Sequence, residues 1–99
     1  MTDLDVVAVL VAKPGSEQVV HGALAGLVEP TLAEEGCLSY QLFTSAVDPA
    51  TFVTIEKWRS QADLDQHMQT AHIQQALAVA GDHFGAAPSI HPLQPSSAA

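Results

Sequence analysis

The stretch Phe52–Trp58, FVTIEKW, runs almost directly into Ser60–Gly81, SQADLDQHMQTAHIQQALAVAG, and the change of period between them decides the fold. FVTIEKW alternates as a strand does, placing Phe52, Thr54, Glu56 and Trp58 on one face and Val53, Ile55 and Lys57 on the other. The segment after it repeats at helical spacing, with Ser60 as its N-cap and Gly81 as its stop. A strand followed by one long helix is half of an α+β unit. The other half has to be found upstream.

Asp5–Ala12, DVVAVLVA, is a continuous β-branched run, the pattern of a strand buried on both faces. KPGS ends it, and Ser16 then caps a helix in which Val20, Leu24, Leu27, Val28 and Leu32 recur at helical spacing to about Glu35. Pro30 falls in its last turn. Gly36 stops the helix, and Cys37–Ser45 reads as a second strand with Leu38, Tyr40 and Leu42 on one face. AVDPAT is a turn, so the second and third strands form an antiparallel hairpin. After Gly81, DHFGAAP reads as a loop, and Ser89–Leu93 as a short last strand that Pro92 confines to an edge or a bulge.

The order β-α-β-β-α-β is the ferredoxin-like plan, four antiparallel strands with helices on one side, and a single domain over residues 1–94 with a frayed tail at 95–99. Ninety-nine residues lie near the low end of what buries a self-sufficient core. Helices cover one sheet face only, yet the first strand is apolar on both. A second copy of the chain, packed sheet to sheet, is the expected cover.

Composition narrows the partners. Eleven carboxylates face only Lys13, Lys57 and Arg59, giving a formal net charge of −8, too few cations to follow a row of phosphates. Nucleic acid and anionic membrane surfaces are therefore not expected partners. No apolar run approaches the roughly 20 residues that span a bilayer, and MTDLDVV has no basic region ahead of an apolar one, which points to the cytoplasm. Cys37, the single cysteine, reads as a small hydrophobe at a strand start.

The side chains that can do chemistry gather between Thr54 and His72. Glu56, between a Thr and a Trp on a partly apolar face, is stripped of water, the condition under which a carboxylate handles protons near neutral pH. On one continuous helix His67 and His72 stand about 140° apart and flank the stripe of Leu64, Met68 and Ala71 at about 60° and 80° on opposite sides. That separation excludes the i, i+4 zinc pair of a zincin helix, the Cys and further His of other zinc patterns are missing, and no metal is expected. His21, His83 and His91 have no such context and read as surface residues. Glycine-rich phosphate loops, dinucleotide fingerprints and nucleophile elbows are all missing. What remains is a small apolar cavity between sheet and helices, edged by Glu56, Trp58, His67 and His72, with Tyr40 or Gln41 from the neighbouring strand and Phe52 and Met68 as apolar contacts.

KPG after the first strand, EEGCLSYQLF at the second, FVTIEKW at the third and the two histidines that follow resemble the antibiotic biosynthesis monooxygenases and their quinol monooxygenase relatives over almost the whole chain. The resemblance implies a dimeric α+β barrel of ferredoxin-like protomers. It also implies a cofactor-independent monooxygenase that turns a phenolic, anthrone or hydroquinone substrate into a quinone with dioxygen. His67, His72 and Glu56 would then handle protons, Trp58 would pack on the substrate ring, and Tyr40 would hydrogen-bond from behind.

Two other branches of that superfamily fit less well. Haem-degrading members carry an Asn and a His where this chain has Ala8 and Leu77. An isomerase branch handles a phosphorylated sugar derivative, for which three cations in the whole chain are poor equipment. The reading from a different class is a non-catalytic dimeric protein that binds a small aromatic or serves as an accessory.

Overall fold

The structure is a computed structural model and describes residues 3–96. Its elements are β1 (Leu4–Val11), α1 (Glu17–Leu32), β2 (Cys37–Thr44), β3 (Thr51–Trp58), α2 (Gln61–His67), α3 (Ala71–Ala80) and β4 (Ser89–Pro92), with a single 3-10 turn at Gly81–His83. The four strands form one antiparallel sheet in the order β2-β3-β1-β4. This is the expected ferredoxin-like α+β plan, with Pro92 on the edge strand. Part of the expected tail, residues 97–99, lies outside the described residues.

Alternation assigns the faces as the sequence implies. Val6, Ala8 and Leu10 of β1, with Phe52, Thr54, Glu56 and Trp58 of β3, are all buried on the helix side. Ala8, Leu10, Val20, Leu24, Leu27, Phe52 and Ile73 form one apolar cluster, and Val6, Tyr40, Trp58 and Leu64 form a second. Along β3, Phe52 belongs to the first and Trp58 to the second, so Thr54 and Glu56 are the polar residues between two dry cores. On the opposite face Val7, Val9, Val11 and Val53 are only half-buried, and Phe43 and Ile55 are exposed.

Three local expectations are corrected. Leu38 does not share a face with Tyr40, because a bulge between Cys37 and Ser39 shifts the register against β3 and turns Leu38 to solvent. Ser16 precedes α1 but does not cap it with its side chain; its hydroxyl instead lies 2.9 Å from Nδ1 of His83, which is consequently half-buried rather than a free surface residue. The third correction matters most for function. The long helix after Ser60 is two helices.

The break has a clear local cause. Ser60 caps α2 by accepting from the Asp63 amide, and after His67 the chain tightens into i→i−3 bonds, from Gln69 N to Gln66 O and from Thr70 N to His67 O. Thr70 then leaves the helical region altogether, at φ −69° and ψ 156°. Its hydroxyl donates to the His67 carbonyl at 2.8 Å and accepts from the Ile73 amide at 3.4 Å, so one side chain closes α2 and opens α3. Thr70→Ala should cost about 1 kcal/mol, the usual worth of such a cap, and lower the melting temperature by about 4–8 °C in a domain of this size. A thermal melt unchanged within error would show that packing alone holds the break.

A candidate proton-handling site

Breaking the helix changes what the two histidines can reach. Nδ1 of His67 lies 2.5 Å from Oε2 of Glu34, and Nε2 of His72 lies 2.8 Å from the same oxygen. The 140° separation holds only for a continuous helix, so it no longer bears on a shared partner or a shared ion. Among the described residues, Glu34, His67 and His72 bring one donor atom each to within 4.8 Å of one another.

Glu34 sits in the turn after α1, where its amide donates to Thr31 O and its carbonyl accepts from the Cys37 amide. Gly36 lets this turn run close to α2: a Cβ there would stand 2.2 Å from Cγ of Asp63 and 2.4 Å from its Cβ. Asp63 has little room to yield, since Arg59 grips both its oxygens at 2.9 Å.

His67 is 2% exposed, its ring centroid 4.6 Å from that of Trp58 and 5.9 Å from that of Tyr40. The expectation that it sits at the edge of an apolar stripe is therefore corrected. His72 is the outer member, its side chain about a quarter exposed, and the Glu34 side chain is largely covered. An ionised carboxylate has only acceptor sites, so each ring nitrogen facing Glu34 then carries its proton there. In a neutral His67 this leaves Nε2 as the nitrogen with a free lone pair.

Glu56 is buried between Thr54 and Trp58. The Thr54 hydroxyl donates to Oε2 at 2.6 Å and the Trp58 indole N–H to Oε1 at 2.8 Å. Each carboxylate oxygen thus has a donor from its own strand face, two residues away on either side. Tyr40 is directly opposite Glu56 in the sheet. Burial, followed by the nearby negative charge of Glu56, pushes the Tyr40 phenol well above its ordinary range, against a weaker opposing effect of its contact with Thr54. Tyr40 is therefore a neutral donor at any physiological pH. Cys37 is pushed up to about 11, by burial first and then by Glu34 and Glu56, which leaves its thiol protonated and poorly nucleophilic.

Between the two dry cores lies a cavity of about 70 Å³, with Tyr40, Thr54, Glu56 and His67 as its polar wall. Leu24, Leu27, Leu64, Met68 and Ile73 are among its apolar walls, and Leu77, Phe84, Pro88 and Ile90 also line it. Of the residues singled out in the sequence, Tyr40, Glu56, His67 and Met68 reach it. Trp58 is fully buried behind His67, and Phe52 belongs to the apolar core, so neither is among the lining residues. His72 touches the cavity only through Glu34 and His67. The residue missed in the sequence is Glu34, although it opens the EEGC segment. No Lys or Arg is in the lining, and no helix among the described residues is long and apolar enough to cross a membrane.

Known proteins share this architecture. The family described as "Antibiotic biosynthesis monooxygenase" matches residues 4–79. "Putative monooxygenase Rv0793" of Mycobacterium tuberculosis is 34% identical over 77 residues, covering 78% of this chain and 75% of that protein. "Probable quinol monooxygenase YgiN" of Escherichia coli is 34% identical over 90 residues, covering 80% and 86%. Among solved structures, PA3566 from Pseudomonas aeruginosa superposes with a TM-score of 0.90 at 31% identity, covering 98% of this chain and 97% of that one.

Proposed function

This chain belongs to the antibiotic biosynthesis monooxygenase family, and from that premise we propose that it oxidises a phenolic, anthrone or hydroquinone substrate to a quinone with dioxygen, without a bound cofactor. The observation that carries the reading is His67, which lines an apolar cavity and is gripped from behind, at Nδ1, by Glu34. A base fixed in one tautomer, with its other nitrogen free, is what proton abstraction requires.

In this reading the free Nε2 of His67 takes a proton from the substrate hydroxyl or the acidic ring carbon. Glu34 steadies the imidazolium that results, and His72, sharing the same carboxylate oxygen, links the buried pair to the surface. The neutral Tyr40 phenol donates a hydrogen bond to the oxyanion that develops. Glu56, held by Thr54 and Trp58, fixes the opposite polar wall. Trp58 acts as support for His67 and Glu56 rather than as a platform for the ring. For an anthrone, two carbon–hydrogen bonds break at one carbon, one oxygen atom of dioxygen stays there as the carbonyl, and the other leaves as water.

A cavity without a cation favours a neutral aromatic over a phosphorylated substrate. The working unit is a homodimer, as the half-covered face of Val7, Val9, Val11, Val53, Phe43 and Ile55 suggests. Oxygen uptake measured with a panel of hydroquinones and anthrones tests the function, using protein stripped of metal by a chelator. Turnover should persist after chelation. Binding of an aromatic with no oxygen uptake from any member of the panel would favour the non-catalytic reading instead.

A further inference from the structure

We propose that Glu34, His67 and His72 form a three-donor site for a transition-metal dication, Zn(II) above all, and that filling it silences His67 as a base. The donors come from three separate places in the fold: the turn after α1, the end of α2 and the first turn of α3. They are brought together by the Thr70 break and the close passage at Gly36, not by helical spacing. Two imidazoles and one carboxylate suit zinc and its neighbours, whereas calcium and magnesium take oxygen.

The dimensions fit with a small adjustment. Tetrahedral ligands about 2.0–2.1 Å from zinc stand about 3.4 Å from one another. Glu34 Oε2 lies 2.5 Å and 2.8 Å from the two ring nitrogens, and the three donor atoms all lie within 4.8 Å of one another. Seating an ion therefore needs the carboxylate to retreat by less than about 1 Å and the two imidazoles to close toward each other. Glu34 is free to retreat, since its side chain also borders a surface groove with Glu35, Gln66 and Thr70. That groove gives an ion and a water ligand access from solvent. Arg59, the cation in the groove, is already paired with Asp63 at 2.9 Å, and the chain's formal charge of −8 attracts dications.

Occupation switches the tautomer of each ring. A neutral imidazole keeps its one proton when it ligates, so as His67 Nδ1 and His72 Nε2 turn lone pairs to the ion, the proton of each ring moves through solvent to its other nitrogen. Nε2 of His67 then carries a proton and has no lone pair with which to accept another. The inhibitory half of this inference rests on the monooxygenase chemistry proposed above, while the binding half does not.

Calorimetric titration of untagged, metal-free protein with Zn(II) tests the site, beside Glu34→Gln, His72→Ala and, as a surface control, His91→Ala. One ion per chain is expected, with affinity weakened at least about 10-fold in Glu34→Gln and in His72→Ala and unchanged in His91→Ala. Circular dichroism establishes that each variant is folded. No saturable binding, or binding equal in all four proteins, overturns the site. If zinc binds as expected while hydroquinone turnover by the wild-type protein continues at an undiminished rate, the inhibitory half is overturned. Because binding is read without turnover, a protein that oxidised no member of the panel would overturn the function and not the site.

Discussion

Replacing His67 by Asn should lower turnover of an oxidisable aromatic by about 10²-fold or more, the scale on which positioned acid–base groups act, while leaving the fold largely intact. Asn keeps an N–H that can reach Glu34 and fills much of the same space, but it has no basic nitrogen. His67→Ala should lose as much activity and, in addition, about 2–4 kcal/mol of stability. It opens a void against Trp58 and removes a partner from a largely covered carboxylate. Oxygen uptake and thermal unfolding measured on both variants separate the two effects. Turnover unchanged in the folded Asn variant would remove His67 from the mechanism.

The second large effect concerns assembly. Ile55→Asp should convert a dimer into a monomer at micromolar concentration. Ile55 is exposed near the middle of the uncovered sheet face, paired with Val7 on one side and Gln41 on the other. In a two-fold dimer the new carboxylate enters the interface twice, and an unpaired buried charge costs about 3–5 kcal/mol. The dissociation constant should therefore rise by at least about 10³-fold. Sedimentation equilibrium on both proteins reads this directly, and a wild-type chain that sedimented only as a monomer would end the dimer reading.

Much of the scaffold is legible because strands and amphipathic helices announce themselves by period. Alternation along Phe52–Trp58 places Glu56 and Trp58 on the buried face, and the structure keeps them there. The site itself is not periodic, and that is why it was only half visible. Residues 61–80 are mostly good helix formers, so nothing in a helical wheel marks Thr70 as the point where one helix ends and another begins. Its hydroxyl wins because it serves two helix ends at once, which becomes favourable only when both helices already have a sheet and α1 to lie on. Glu34 belongs to a turn, where spacing rules say nothing about direction. The bulge that expels Leu38 is equally silent, since CLSYQLF alternates well enough without it.

The size of the cavity bears on timing. About 70 Å³ is less than half the roughly 150 Å³ of an engineered cavity that admits benzene. An aromatic ring does not fit that volume whole, and Leu77, Pro88 and Ile90 at its rim are exposed. Full seating of the ring therefore needs a wider form in which one of these side chains or Phe84 has drawn back, and the apparent affinity falls in proportion to that form's population. At high substrate concentration the observed association rate then stops rising and levels off at the opening rate. Selectivity acquires a kinetic component, because a slender ligand passes through smaller and more frequent openings than a fused-ring one.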